Sequence, residues 1–176
     1  YHLPNGPARS VKPLVVLEEL NIPFNIHPVN ILAGEQKSAE FLALNPLGKI
    51  PVLKVEVSGQ PDQVLIESAA IIYYLLDNFD PEHKLTGAIG STTRSVFHQV
   101  AGISVWAEEP LWRAFDEAFF KGGFEGEEGK GDKAVYDAAI AEFQKSVEPV
   151  LELLLADKPF FGGDSFGAAD ALAGFI

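Results

Sequence analysis

The sequence predicts an α/β unit followed by an all-helical unit. Over the first 78 residues the hydrophobic pattern alternates between the two-residue period of strands and the longer period of helices, whereas from residue 92 onward the spacing is helical. Between these stretches, residues 79–91 contain one Pro and two Gly without periodicity, which predicts a linker. We therefore expect two domains, residues 1–78 and 92–176, joined by the segment 79–91.

The first unit is predicted to follow the order β-α-β-α-β-β-α. Its strands and helices are expected at residues 1–3, 11–20, 24–28, 38–44, 52–57, 63–66 and 68–78. The helix 11–20 ends at Asn21 before a proline, and Ser38 opens the next helix as its N-cap. The last two strands flank a turn that contains Gly and Pro, so they are expected to form a hairpin.

The second unit is predicted to contain only helices. The first, residues 92–120, is interrupted by Pro110, which should kink or split it because proline lacks the backbone donor. Residues 121–131 are rich in Gly and acidic side chains, which predicts a flexible loop. A long amphipathic helix is expected at residues 132–156, and a last helix begins near Ala168. The sequence stops at Ile176 within a helical pattern, so we expect truncation there.

Charge and composition exclude several classes of function. The chain has 176 residues, with 13 Lys and Arg against 25 Asp and Glu, a net charge of −12 and a pI near 4.6. This acidity argues against a nucleic-acid or anionic-membrane partner, because both need a basic surface, and no apolar run approaches the ~18 residues of a membrane span. Zero Cys excludes disulfides and a cysteine nucleophile, and the four His form no metal-ligand spacing. We therefore expect a cytoplasmic protein without a metal ion.

The first motif of interest is NPLGKIPVL, residues 45–53. Pro51 begins an apolar strand, where it cannot donate to the ladder of hydrogen bonds. One solution is a cis bond between Ile50 and Pro51 in a tight turn, which leaves the Ile50 backbone groups facing a cleft. The alternative is an ordinary trans proline at the start of a strand, and the spacing alone does not decide between them.

The second motif is Glu67-Ser68, at the junction between a predicted strand and a predicted helix. With Ser68 as N-cap, the free backbone N–H groups of the helix start form a carboxylate site. Glu67 supplies an acceptor for an ammonium group, so the pair matches the head group of an α-amino acid. The alternative is a common serine cap beside a surface glutamate.

Together with the order of elements, these motifs resemble the cytosolic glutathione transferase superfamily, which has a thioredoxin-like first domain and an all-helical second domain. The stretch GEQKSAEFLALNPLGKIPVL, residues 34–53, carries much of the resemblance. The resemblance implies a site for glutathione as co-substrate and a homodimer. The residues that it implies at this site are Gln36, Lys37, Lys49, Ile50, Pro51, Glu67 and Ser68.

Each part of glutathione has implied partners. The Ile50 backbone before Pro51 would pair with the cysteinyl backbone, while Glu67 and Ser68 would hold the γ-glutamyl ammonium and carboxylate. Lys37, with Gln36 and Lys49, would face the rest of the tripeptide, Lys37 nearer the glycine carboxylate. For both lysines, a solvated surface side chain is the alternative.

The residue that steadies the thiolate departs from the family pattern. Members of the superfamily use Tyr, Ser or Cys just after the first strand, whereas an ungapped comparison places Asn5 there. An Asn amide can still donate hydrogen bonds to a thiolate. Asn5 could equally belong to a turn or cap, with Ser10 and Tyr1 as the other candidate hydroxyls. Ser10 is also expected to cap the first helix.

Two features of the second unit complete the comparison. Aromatic side chains near Pro110, namely Trp106, Trp112 and Phe115, with Phe119 beyond them, could line an apolar pocket for an electrophile, or could be core. The stretch from Gly167 to Asp170 keeps half of the capping box that the superfamily usually has, because Gly replaces the hydroxyl residue. Asp170 is therefore expected to serve folding.

The function implied by the resemblance is glutathione transfer in detoxification, in which the thiolate of bound glutathione attacks a small apolar electrophile. Two alternatives stay open. The chain could be a non-catalytic binding or scaffolding module of the same fold, or a glutathione-dependent etherase, isomerase or peroxidase.

Overall fold

The computed structural model describes residues 1–4, 8–124 and 129–174, which divide into two compact units. The first comprises Tyr1–Ala88 and the second Ile89–Gly174. The division falls inside the segment 79–91. No helix in the described ranges is both long enough and apolar enough to cross a bilayer.

The first unit combines a β-hairpin with helices. Its elements are α1 (Val11–Glu19), a 3₁₀ turn (Glu35–Lys37), α2 (Ala39–Leu44), β1 (Val52–Val55), β2 (Gln63–Ile66) and α3 (Ser68–Phe79). The two strands are antiparallel, with Val52 opposite Ile66, so the predicted hairpin is confirmed. The predicted N-cap of α2 is confirmed too, because the Ser38 hydroxyl accepts from the Phe41 N–H at 3.2 Å.

The two strands predicted at residues 1–3 and 24–28 are reduced to one parallel bridge between His2 and Pro28. The His2 N–H donates to the His27 carbonyl at 3.0 Å, and the Val29 N–H donates to the His2 carbonyl at 2.8 Å. The prediction was wrong about their extent because the next donor of the ladder would be residue 4, and Pro4 has no N–H to give to the Val29 carbonyl. The Tyr1 ammonium donates to the Val52 carbonyl at 2.9 Å, so residues 1–2 still lie beside β1.

The core of the first unit has two parts. Val29, Phe41 and Val52 form a buried cluster against which Tyr1, Ile31, Leu44, Ile50 and Ile66 pack. Helices α1 and α3 pack on each other through apolar side chains. Those buried side chains are Val16, Leu17, Ile71, Ile72 and Leu75. The first part includes Ile50 and Val52, on either side of Pro51, and Ile66, next to Glu67, so the core fixes the backbone that leads into both motifs.

The second unit contains α4 (Thr92–Ala107), α5 (Glu109–Phe115), a π-helical turn (Asp116–Phe120), α6 (Lys133–Ser146), α7 (Glu148–Leu155) and α8 (Ala168–Ala173). Pro110 lies in the first turn of α5 and splits the first helix, as predicted. The prediction of a single helix at residues 132–156 was wrong. Pro149 begins a separate helix, α7, because proline is tolerated only in the first turn.

Asp170 holds the start of α8. One carboxylate oxygen accepts from the Gly167 N–H at 2.8 Å, and the other accepts from the Phe161 N–H at 2.9 Å. The first bond is the expected half of the capping box, whereas the second joins α8 to the preceding segment. Four side chains of α8 are buried, Ala168, Ala169, Ala171 and Leu172.

The end of α7 gives a stability prediction. Ala156 has φ 53° and ψ −137°, a conformation that favours glycine. We expect Ala156→Gly to raise the free energy of unfolding by about 1 kcal/mol, because the strain of the β-carbon is relieved. The control is Ala141→Gly at an exposed position inside α6, which should lower it by about as much. Chemical denaturation measures both; destabilisation by both substitutions would contradict the prediction.

Candidate functional site

The turn before β1 is built around Asn45, which is only 2% exposed. Its side-chain nitrogen donates to the Lys49 carbonyl at 2.6 Å, and its side-chain oxygen accepts from the Leu47 N–H at 3.1 Å. The Asn45 carbonyl accepts from the Gly48 N–H at 2.8 Å. The Ile50–Pro51 peptide bond that follows is cis. Of the two alternatives that the sequence left open, a cis bond in a tight turn and a trans proline at a strand start, the structure has the first.

The 3₁₀ turn lies against this loop at Gly48. Gly48 has φ +60°, and a β-carbon there would lie 2.6 Å from Lys37 Nζ and 2.9 Å from the Gln36 carbonyl oxygen. Lys37 Nζ donates to the Leu47 carbonyl at 3.3 Å. The structure therefore brings Gln36 and Lys37 to the loop that ends at Pro51, whereas Lys49 is exposed on the loop itself.

Gln36 contributes an unusual acceptor at this place. Its side-chain nitrogen donates to the Ile31 carbonyl at 3.2 Å. Its side-chain oxygen is buried and has no hydrogen-bond partner among the described residues. A buried acceptor without a donor is costly, so the side chain is suited to receive a donor from outside the chain.

The second motif lies at the same end of the hairpin. Because Val52 is opposite Ile66, the register places Pro51 and Glu67 opposite each other at the next position. Glu67, not Ser68, is the N-cap of α3, with φ 69° and ψ 122°, and its side chain makes no cap bond. The prediction of Ser68 as N-cap was wrong because the chain turns at Glu67, and Ser68 is already helical.

The start of α3 provides several donors and one carboxylate. The N–H groups of its first turn have no partner within the helix, since the first intrahelical bond runs from the Ile71 N–H to the Glu67 carbonyl at 3.0 Å. The Glu67 side chain is exposed and Ser68 is half-buried. The positive end of the helix favours an anion, and the Glu67 carboxylate favours a cation.

Asn5 lies outside the described residues. Of the other two candidates, Ser10 is 1% exposed and its oxygen is 2.8 Å from His2 Nδ1. The prediction that Ser10 caps α1 was wrong, because the Ser10 side chain makes no cap bond and its hydroxyl is hydrogen-bonded to His2 instead. The Tyr1 ring is stacked on His27, with ring centroids 4.9 Å apart, and packs into the buried cluster.

The aromatic residues of the second unit form a continuous cluster. Trp112 meets Phe115 edge-on at 5.5 Å, and Phe115 stacks on Phe119 at 5.0 Å. Phe120 also meets Phe115, at 5.6 Å, because the wider π turn brings residues four and five positions later to the same side. Phe119 is 57% exposed and Phe120 is 46% exposed, so this cluster is not simply core.

Trp106 lies on α4 and is 49% exposed. Trp112, by contrast, is fixed by a buried carboxylate, since its indole nitrogen donates to Glu108 Oε2 at 3.3 Å. The sequence pattern located the aromatic residues near Pro110, but it gave no signal for the π turn or for Glu108.

Glu117 is a further residue that the sequence did not suggest. Its buried carboxylate accepts from the Asp132 N–H at 2.7 Å and from Lys121 Nζ. These two hydrogen bonds lower the pKa of Glu117. Glu117 therefore joins the two ends of the loop between the π turn and α6. Three acidic residues of this loop, Glu125, Glu127 and Glu128, lie outside the described residues. Across the described ranges, no group of three metal-ligating side chains is present.

Comparison with known proteins points to one family. The family model described as "Glutathione S-transferase, N-terminal domain" matches residues 8–78. A glutathione S-transferase of Hyoscyamus muticus is 31% identical over 174 residues, which cover 94% of this chain and 76% of that protein. Glutathione S-transferase 3 of Zea mays is 32% identical over 181 residues, which cover 97% of this chain and 72% of that protein.

A solved structure agrees with these similarities. The glutathione transferase URE2P6 of Phanerochaete chrysosporium, in complex with oxidized glutathione, superposes with a TM-score of 0.78. It is 25% identical, and the match covers 95% of this chain and 72% of that one.

Proposed function

This chain belongs to the glutathione S-transferase family and is a glutathione transferase, and on that premise we propose how it holds its tripeptide substrate. Glutathione lies along the edge formed by the turn at Pro51 and the start of α3. The observation that carries this proposal is the hairpin register, in which Val52 is opposite Ile66 and both motifs therefore share one end.

The γ-glutamyl end binds at the start of α3. Its carboxylate accepts from the Ser68 hydroxyl and from the free N–H groups of the first turn, with support from the positive end of the helix. Its ammonium pairs with the Glu67 carboxylate. The ammonium and the carboxylate on one α-carbon thus meet the Glu67 carboxylate and the positive end of α3, which gives specificity for an α-amino-acid head group.

The rest of the tripeptide follows the loop. The cysteinyl backbone pairs with the backbone of Ile50, before Pro51, and the glycine carboxylate binds Lys37. Gln36 presents its unpartnered buried oxygen nearby, and Lys49 adds positive charge on the loop. The positive charges of Lys37 and Lys49 offset the net negative charge of the protein at the place where an anionic ligand binds.

The sulfur is stabilised by the side-chain amide of Asn5. Lowering the pKa of a thiol from ~8.5 to ~6.5 requires about 2.7 kcal/mol. A hydrogen bond to a charged group supplies ~1.5–3 kcal/mol, so one amide donor is of the right strength. The thiolate then attacks an apolar electrophile. The protein acts by positioning and by electrostatic stabilisation, without a covalent intermediate of its own.

We assign this reaction to detoxification by a cytoplasmic homodimer. The absence of Cys from the 176 residues is compatible with a reducing compartment. Size-exclusion chromatography with light scattering tests the homodimer directly.

A second candidate is binding of glutathione disulfide at the same site. It is favoured by the complex of the Phanerochaete chrysosporium relative with oxidized glutathione. One half of the disulfide would occupy the tripeptide site, and the other half would replace the electrophile. Calorimetry with oxidized glutathione in place of the thiol distinguishes this ligand.

The test of the proposed site is calorimetric titration with glutathione between pH 5.5 and 8.5. We expect proton release near neutral pH, because the thiol ionises in the site. Glu67→Ala and Ser68→Ala should each weaken binding more than tenfold, about 1.4 kcal/mol or more. Glu18→Ala, which removes an exposed carboxylate of α1, is the control and should leave affinity unchanged. Unaltered affinity in both site variants would contradict the assigned site.

A further inference from the structure

Ile50 carries a backbone donor and a backbone acceptor that the chain itself does not use. Among the described residues, neither its N–H nor its carbonyl has a hydrogen-bond partner, although the residue is half-buried. Its side chain packs on the buried cluster of Val29, Phe41 and Val52, so the core holds this part of the turn in place. Backbone groups that are not paired within the chain are available to a ligand that supplies the partners.

The direction of the Ile50 N–H is set by the peptide plane to which it belongs. The Lys49–Ile50 peptide bond is trans, so the Lys49 carbonyl and the Ile50 N–H point in opposite directions. The Lys49 carbonyl points at a buried side chain, because it accepts from Asn45 Nδ2 at 2.6 Å and Asn45 is only 2% exposed. The Ile50 N–H therefore points away from Asn45.

The Asn45 amide has one orientation in this turn. Its oxygen accepts from the Leu47 N–H at 3.1 Å while its nitrogen donates to the Lys49 carbonyl, and exchanging the two atoms would lose both bonds. The Asn45 backbone is fixed as well, since its N–H donates to the Phe41 carbonyl at 2.9 Å where α2 ends. The peptide plane that contains the Ile50 N–H is thus tied through Asn45 to α2.

We propose that Asn45 is a positioning residue, which aims the Ile50 N–H at the cysteinyl carbonyl of bound glutathione. This inference rests on the proposed function, in which the cysteinyl backbone pairs with Ile50. Asn45 is buried beneath the loop and acts through the Lys49–Ile50 peptide plane. Its role needs a donor and an acceptor on one short planar group, which an asparagine side chain supplies and an ionised aspartate does not.

The effect should be limited to one part of the ligand. The γ-glutamyl head group is proposed to bind at Glu67 and Ser68, and within the described ranges Asn45 makes no hydrogen bond to either residue. Loss of the Asn45 donor should therefore weaken ligands that carry an acceptor next to the cysteinyl α-carbon and spare a ligand that lacks it. A residue with only a structural role would weaken both kinds of ligand equally.

Three thiols with the same γ-glutamyl head group differ at this acceptor. Glutathione has the cysteinyl carbonyl in an amide, γ-glutamylcysteine has it in a carboxylate, and γ-glutamylcysteamine lacks it. Asn45→Asp keeps an oxygen for the Leu47 N–H but places a second oxygen against the Lys49 carbonyl. By calorimetry, this variant should bind glutathione and γ-glutamylcysteine about tenfold more weakly, or about 1.4 kcal/mol, and γ-glutamylcysteamine within twofold of the unsubstituted protein.

The chain offers a matched control at the other end of α3. Asn78 Nδ2 donates to the Tyr74 carbonyl at 2.8 Å on an exposed surface, so Asn78→Asp makes the same chemical change away from the turn. It should leave the affinities for all three thiols unchanged. Asn45→Ala removes both hydrogen bonds of the turn without adding a charge, and it should show the same selectivity as Asn45→Asp. Circular dichroism establishes that each variant is folded.

Hydrogen exchange of the Ile50 amide tests the direction of this N–H in the unsubstituted protein. We expect rapid exchange without ligand, because the N–H points away from the chain, and at least tenfold slower exchange with saturating γ-glutamylcysteine. Slow exchange without ligand, or no protection when γ-glutamylcysteine is bound, would overturn the inference even if both Asn45 variants failed to fold.

The binding results separate the inference from the proposed function. Equal weakening of all three thiols by Asn45→Asp and Asn45→Ala would give Asn45 a structural role and overturn the inference alone. Unchanged affinities in both variants would overturn it too, while the proposed site would stand. If the unsubstituted protein binds none of the three thiols, the proposed function fails, and the inference fails with it.

Discussion

Asp170→Ala is expected to lower the free energy of unfolding by about 3 kcal/mol. The substitution removes both carboxylate oxygens. One of them accepts a hydrogen bond from the Gly167 N–H at 2.8 Å, and the other accepts one from the Phe161 N–H at 2.9 Å. Hydrogen bonds to a charged acceptor contribute about 1.5–3 kcal/mol each, and a donor left without a partner has a cost of its own. The loss falls at the start of α8, whose buried side chains pack against α4.

Chemical denaturation followed by circular dichroism measures this effect. Asp170→Asn keeps one acceptor oxygen and should lose about half as much stability. Asp164→Ala removes an exposed carboxylate six residues earlier and should change stability by less than about 0.5 kcal/mol. Equal unfolding midpoints for Asp164→Ala and Asp170→Ala would show that the two hydrogen bonds do not stabilise the helix start.

Gly48→Ala is expected to weaken glutathione binding about a hundredfold, or about 2.8 kcal/mol. The added β-carbon would lie 2.6 Å from Lys37 Nζ and 2.9 Å from the Gln36 carbonyl oxygen. The lysine can swing away, but the carbonyl belongs to the backbone of the 3₁₀ turn, so the turn itself must move. Both residues proposed to face the glycine end would then leave their positions.

The hairpin provides a matched control for this substitution. Gly59 has φ +77°, and a β-carbon there would have no atom within 4 Å. Gly59→Ala therefore imposes a similar positive-φ strain, of about 1 kcal/mol, without a steric contact. Calorimetry should give unchanged glutathione affinity for Gly59→Ala and the hundredfold loss for Gly48→Ala. Equal affinities for the two variants would contradict the role of close packing at Gly48.

The parts of the fold that could be predicted are those whose signal is local. The hairpin and α3 follow from strand and helix periods on either side of a Gly and Pro turn. The strands at residues 1–3 and 24–28 were overestimated because their pairing depends on which N–H groups face the partner strand, and Pro4, the next donor after His2, has none. Pro149 was overlooked because the apolar period of residues 132–156 continues across it.

The site shows the same division. Pro51 and Glu67-Ser68 were visible because each motif is contiguous in the sequence. The packing of Lys37 against the turn at Gly48 joins residues eleven positions apart. Ser10 was expected to cap α1, but its hydroxyl is hydrogen-bonded to His2 instead. These contacts depend on how the chain returns on itself, which no local pattern reports.

The positive φ of Glu67 limits how this protein could be redesigned. At that position the backbone favours glycine, whereas the proposed ligand needs a carboxylate, so the residue that suits the fold differs from the residue that suits the substrate. Sequence optimisation guided by thermostability alone would select glycine at position 67 and discard the ammonium partner. An engineer who wants a more robust catalyst should hold this position fixed and seek stability elsewhere, for example at Ala156, where no such conflict exists.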